Sequence, residues 1–188
     1  MESTMNAFPV LETERLILRK VMKTDAASML TYLSDKDVME YYGLEPFKTE
    51  EEALSEVAWY DEIFTEGTGI RWGITLKGLD KVIGTCGFLN MVKQHSRSQI
   101  GYELDKQYWG KGIAREAMEA VLRYGFYEMK LHRIEALIEP PNTASIKLVE
   151  RNGFMREGLL RDYEFNGKTF DDLYMYSLLR RDYKGELS

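Results

Sequence analysis

Gly110 and Gly112 stand one residue apart where a strand pattern, Gln99 to Leu104, gives way to the longest helical pattern in the chain, Gly112 to Met129. The first turn of a helix leaves backbone N–H groups without intrahelical partners and carries partial positive charge. Glycine removes the Cβ that would hold an anion at a distance, so this turn reads as a phosphate or pyrophosphate cradle. Taken alone, an unspecialised glycine-rich turn has the same look. Two other phosphate motifs are excluded by spacing. There is no Gly-x-x-x-x-Gly-Lys-Ser/Thr, and Arg115 stands where a dinucleotide fingerprint needs its third glycine. Glu103 lies on the strand that feeds the cradle, with Asp105 two residues on, so either carboxylate is placed to accept a proton beside a bound ligand. A strand carboxylate held in a salt bridge, or one facing solvent, is the competing reading.

The elements that must position these groups follow from pattern. Leu16 to Arg19 reads as a first short strand, Asp25 to Leu33 and Asp35 to Tyr41 as short helices, and Glu50 towards Gly67 as a longer one. The last opens on Thr49-Glu50-Glu51-Glu52, an N-cap residue followed by an acidic first turn. Arg71 to Leu76 and Val82 to Met91 are rich in β-branched and aromatic residues and are separated by a turn at Lys77-Gly78-Leu79-Asp80. In the long helix Ala114, Ala117, Met118, Val121, Leu122 and Phe126 repeat at helical spacing. Ile134 to Ile138 is a strand, Asn142 to Arg151 a helix stopped by Asn152-Gly153, and Phe154 to Phe165 with Thr169 to Leu179 a hairpin around Asn166-Gly167. The order predicts an α+β fold with a mixed sheet of seven strands, in a single domain over residues 1–188.

Bulk properties exclude several functions. Apolar residues at 44% and charged residues at 30% are ordinary for a globular chain. A formal charge of −6 argues against nucleic-acid binding, which needs clustered Lys and Arg. One cysteine and two histidines, without His-Glu-x-x-His spacing, predict no disulfide and no metal site. With neither a membrane-length apolar run nor a signal-peptide pattern, a cytoplasmic protein with no membrane association is expected. Cys86, inside an apolar strand, reads as a buried hydrophobe rather than a nucleophile, and His95 and His132 as surface or packing residues.

Gln107-Tyr108-Trp109-Gly110-Lys111-Gly112-Ile113-Ala114 resembles the Gln/Arg-x-x-Gly-x-Gly/Ala signature of the GNAT acyltransferase superfamily. Arg15-Leu16-Ile17-Leu18-Arg19, Arg133-Ile134-Glu135-Ala136, and Asn142-x-x-Ser145 with Asn152-Gly153-Phe154 are similar to the RimJ/RimL-type branch, whose members acetylate N-terminal amines of ribosomal proteins. The resemblance covers nearly the whole chain. It implies the GNAT fold: a mostly antiparallel sheet whose two central parallel strands, here Gln99 to Asp105 and Arg133 to Ile138, splay apart, with helices flanking them.

The resemblance also implies acetyl-CoA as co-substrate. Its pantetheine arm would enter between the splayed strands near Glu103 and Leu104, and its pyrophosphate would meet Gln107 and the amides from Trp109 through Gly110, Lys111, Gly112 and Ile113 to Ala114. Glu103 falls at the position of a general base, and the backbone N–H near Leu104 would polarise the thioester carbonyl. By the same analogy Asn142 contacts the pantetheine arm and Ser145 lies near the sulfur, although Asn142 also suits helix capping. Val149 occupies the place where many superfamily members carry a tyrosine acid, so the leaving thiolate falls to Ser145, water or another group, with Ser145 expected to hydrogen-bond it rather than act as a strict acid. Trp59-Tyr60 and Tyr41-Tyr42 either line the acceptor pocket or pack as core. The implied reaction is acetyl transfer to a primary amine by direct attack in a ternary complex, the acceptor being a protein N-terminus or else a polyamine, amino acid or aminoglycoside. A CoA-binding module without turnover is the non-enzymatic alternative. Trp109 and the final hairpin are candidate surfaces for a homodimer.

Overall fold

A computed structural model describes residues 7–185. Among them eight strands form one sheet in the order β1-β2-β3-β4-β5-β6-β8-β7. The strands are β1 Leu11–Glu12, β2 Leu16–Lys20, β3 Ile70–Leu76, β4 Leu79–Val92, β5 Arg97–Leu104, β6 Arg133–Ile138, β7 Met155–Phe165 and β8 Phe170–Leu179. Seven were expected. The eighth is β1, two residues that pair antiparallel with Ile17 and Leu18 and are too short to carry an alternating pattern. The turn between β3 and β4 is also tighter than its sequence suggested: Leu79 is already in the strand, leaving Lys77 and Gly78 to reverse the chain.

The helices are α1 Ala26–Leu33, α2 Lys36–Met39, α3 Glu50–Glu66, α4 Ile113–Tyr127 and α5 Thr143–Arg151. The Thr49 side chain accepts from the Glu52 amide while the Glu52 carboxylate accepts from the Thr49 amide, so the capping box read from the sequence starts α3. Helix α4 buries Ala117, Met118, Val121, Leu122 and Phe126 on one face of the sheet, against a core that includes Trp72, Phe88 and Ile134. At Gly125 this packing leaves no space: a Cβ there would lie 2.6 Å from Phe88 Cζ. Met29, Tyr32 and Leu33 of α1 and Ala53, Val57 and Tyr60 of α3 form a second core with Val21 and Val82.

One pairing in the sheet sets up the site. All other neighbours are antiparallel, but β5 and β6 run parallel and stay in register only at Arg97↔Arg133, Ser98↔Ile134 and Gln99↔Glu135. Beyond these residues the strands separate into a wedge. Its closed end is stitched by charge. Glu135, which is buried, accepts from Arg97 Nη1 at 3.0 Å and from Arg133 Nε at 2.7 Å. Arg133 continues across β8 to hold Glu157 of β7 with two hydrogen bonds, at 2.7 and 2.6 Å.

Candidate active site

The wedge opens onto a cavity of about 760 Å³ lined by the end of β5, the cradle and the start of α5. Gly110 and Gly112 both have positive φ, +72° and +76°, a conformation an L side chain rarely adopts, and Gly112 is the residue from which α4 departs. The cradle is braced on its outer side. Arg15 donates from Nη1 to the Lys111 carbonyl at 2.9 Å and from Nε to Glu116 of α4 at 2.6 Å. Glu103, Leu104, Trp109, Gly110, Gly112, Ile113 and Ala114 line the cavity, and so do Asn142 and Ser145. Gln107 and Lys111 do not. The Gln107 amide is capped by Asp105, and Lys111 Nζ turns back to the Gln107 carbonyl at 2.8 Å. Asp105 thus ends β5 as a turn cap rather than standing beside Glu103 as a second base.

Arg115, Lys147 and Arg151 also line this cavity and were not singled out from the sequence. Single cations scattered on two helices, Arg115 among them paired with Glu119 at 2.8 Å, carry no local signal; only the fold brings them to one cavity. A glycine turn at a helix start, with three cations around it, fits the phosphates of a coenzyme A molecule. Among the described residues no group of three or more His, Cys, Asp or Glu side chains could hold a metal ion.

Beyond the paired residues, the Tyr102 hydroxyl on β5 lies 2.6 Å from Ser145 Oγ on α5. Asn142 caps α5, its side chain accepting from the Ser145 amide at 3.2 Å. Tyr102 escaped the sequence reading because its partner is 43 positions away. Burial pushes its hydroxyl up to about 12, against the opposite pull of the Ser145 hydrogen bond, so it stays protonated at neutral pH.

Glu103 borders the first cavity but is only 4% exposed, its carboxylate held between neighbouring strands. Arg71 of β3 donates to its Oε2 and the Thr85 hydroxyl of β4 to its Oε1, while Arg71 Nε also donates to Thr85 at 2.8 Å. Gly101 makes room for this arrangement, since a Cβ there would come within 2.7 Å of Arg71 Nη1. Burial pushes the Glu103 carboxyl up, and Arg71 and Thr85 pull it back. Both oxygens are therefore engaged, the salt-bridged arrangement that competed with a general base.

A second cavity, of about 410 Å³, adjoins the first. Trp59, Glu56, Arg71, Leu137, Glu139 and Glu164 are among its walls, and it shares Tyr41, Tyr42, Tyr102, Asn142 and Ser145 with the first. The aromatic pairs thus divide. Tyr41, Tyr42 and Trp59 line cavities, whereas Tyr60 is buried in the second core. The Tyr42 hydroxyl donates to Glu56 Oε1 at 2.5 Å.

A splayed parallel pair beside a glycine cradle at a helix start is the arrangement of a GNAT acyltransferase. The chain belongs to that family: residues 15–155 match the Acetyltransferase (GNAT) domain. It is similar to the uncharacterized N-acetyltransferase p20 of Bacillus licheniformis, with 44% identity over 175 residues that span 93% of this chain and 98% of the relative. It is also similar to the [ribosomal protein uS5]-alanine N-acetyltransferase of Escherichia coli (strain K12), at 28% identity over 81% of each chain. Among solved structures, the GNAT-family acetyltransferase from Bacillus anthracis superposes with a TM-score of 0.82 at 33% identity, covering 92% of this chain and 99% of the other. The protein is an acetyl-CoA-dependent N-acetyltransferase with RimJ/RimL-like relatives. Among the described residues no helix is long and apolar enough to cross a membrane.

Proposed function

We propose that the chain works as one cytoplasmic domain and transfers acetyl from acetyl-CoA to the N-terminal amine of a protein, by direct attack in a ternary complex. The observation that carries this reading is the meeting of two cavities at Tyr102, Asn142 and Ser145. A co-substrate arriving through the first cavity and an acceptor arriving through the second reach the same side chains. The first cavity supplies the cradle amides and Arg115, Lys147 and Arg151 for the phosphates, and Asn142 for the pantetheine arm. Acetyl-CoA contributes an activated acetyl thioester. Ser145 hydrogen-bonds the departing sulfur, with Tyr102 behind it. Cys86 is buried, and burial pushes its thiol up to about 12, which supports direct transfer over a covalent acyl-enzyme.

The likeness to a ribosomal-protein alanine N-acetyltransferase supports a protein N-terminus as acceptor. One feature favours a second reading, a small polycationic amine. Glu139 and Glu164 line the acceptor cavity, and the Glu139 carboxyl is raised by burial and then by Asp171, Glu164 and Glu40. Converging carboxylates suit a second positive charge on the acceptor. Calorimetric titration with acetyl-CoA, followed by thiol release on N-terminal peptides and on small amines, separates the two. Release on peptides alone supports the first reading, release on polyamines alone the second, and absence of acetyl-CoA binding removes both.

A further inference from the structure

We propose that Glu56, on α3, binds the acceptor's ammonium group and accepts its proton. This rests on the amine-transfer reading above and names the residue that reading leaves open. Glu103 is poorly placed for the task, since Arg71 and Thr85 occupy both of its oxygens. Glu56 differs in each respect. It is 9% exposed, and what remains open faces the acceptor cavity, whose walls also carry Tyr102 and Ser145. Its Oε1 is fixed by the Tyr42 hydroxyl at 2.5 Å, while its Oε2 accepts from no described residue.

Charge balance leads to the same residue. The groups that act on one another here are Glu56, Tyr42, Tyr60 and Tyr32 from the helical side and Arg71 and Glu103 from the sheet. They include two carboxylates and one guanidinium, and the guanidinium is bound to Glu103. A buried carboxylate without a counter-charge is costly. The acceptor supplies the missing charge: its ammonium group completes the cluster on entering the second cavity.

The chemistry balances with the groups present. The ammonium gives one proton to Glu56 and becomes a neutral amine. Its nitrogen forms the N–C bond to the acetyl carbon as the C–S bond breaks. The second proton leaves the nitrogen and ends on the sulfur beside Ser145, giving the amide and the free thiol. Glu56 returns the first proton to solvent through the cavity mouth.

The test uses the full-length chain, an alanine-terminated hexapeptide and spermidine as probes, calorimetric binding of each probe to the CoA-loaded enzyme, and steady-state thiol release. Glu56→Gln keeps an acceptor for the Tyr42 hydroxyl but loses the charge. We expect it to bind acetyl-CoA as the parent does, to raise the probe's KM at least about tenfold, and to lower kcat by about 10²-fold, the usual scale for a lost general base. Tyr42→Phe frees Glu56 without discharging it and should change kcat by only a few-fold, a second readout should Glu56→Gln fold poorly. Glu56→Gln kinetics within twofold of an active parent would overturn the assignment and leave the transfer reading intact. So would Tyr42→Phe kinetics identical to the parent if Glu56→Gln does not fold. A parent that neither binds nor acetylates either amine would instead bring down the amine-transfer reading itself.

Discussion

The Tyr102 hydroxyl and Ser145 Oγ, 2.6 Å apart, join the strand on one side of the wedge to the helix on the other. Because Tyr102 is protonated at neutral pH, it can donate to Ser145, which leaves the serine hydrogen free to meet a sulfur. Val149, an apolar residue 1% exposed, has no proton to give where a tyrosine acid would stand in many relatives, and the pair is the substitute proposed for it. If both hydroxyls serve one thiolate, Ser145→Ala and Tyr102→Phe should each lower kcat by about 10- to 100-fold, with acetyl-CoA affinity within about threefold of the parent. The double variant should be no slower than the slower single one, as for residues acting as a unit. Single-turnover thiol release checks this; multiplicative losses would mean the hydroxyls act separately.

What the sequence made legible was local. Gly110, Gly112 and the amphipathic run of α4 lie within one strand–turn–helix segment, and the capping box of α3 lies within four residues, so spacing alone exposes them. The Arg71–Glu103 pair spans 32 positions and three strands of pairing, and no period of two or of 3.6 connects its members. Glu56 was not singled out in the sequence, because its burial and its bond to Tyr42 depend on how α3 lies over the sheet. Asn142 was open between capping and ligand contact; the structure makes it a cap and also places it in both cavities.

Arg71 and Glu103 are 3% and 2% exposed at their side chains, so each, with Thr85, stands in for the water the other has lost. Removing one partner leaves a buried charge, at a cost of about 3–5 kcal/mol, whereas replacing both with apolar residues is often neutral. Glu103→Leu alone should therefore lower the thermal midpoint markedly, and Arg71→Met with Glu103→Leu should recover most of the loss. Differential scanning calorimetry measures both. A double variant no more stable than the single one would show that the surrounding Thr85 and tyrosine hydroxyls depend on the ions as well.

At Gly112 the backbone φ of +76° places any substitute in left-handed space, and a Cβ would lie 3.4 Å from Arg15 Nη2. Gly112→Ala should cost about 1–2 kcal/mol of local strain and turn the first amides of α4 away from the phosphates. The expected result is an acetyl-CoA Kd raised about tenfold or more, with a smaller effect on the affinity of a CoA fragment lacking its phosphates. Equal losses for both ligands would place the damage in the wedge instead of the cradle.

The closed end of the wedge carries a pH dependence of defined sign. Arg133, and then Ser177, hold the Glu157 carboxyl down to about 2, against the opposing effect of burial. A carboxylate whose folded pKa lies below its unfolded value of about 4.5 stabilises the folded state above that pH and loses the contribution as pH falls towards 2. The Glu157 side chain is 43% exposed, so screening limits the effect to about 1 kcal/mol or less. Glu157→Gln should thus melt slightly below the parent at pH 7, and the difference should shrink below pH 4.5 and vanish near pH 2. Because Arg133 also binds Glu135 at the point where β5 and β6 part, loosening it should widen the wedge. Acetyl-CoA affinity in Glu157→Gln should then fall by a few-fold at pH 7, measured by calorimetry alongside the melting curves. A stability loss without any change in affinity would confine the Arg133–Glu157 clamp to the sheet edge.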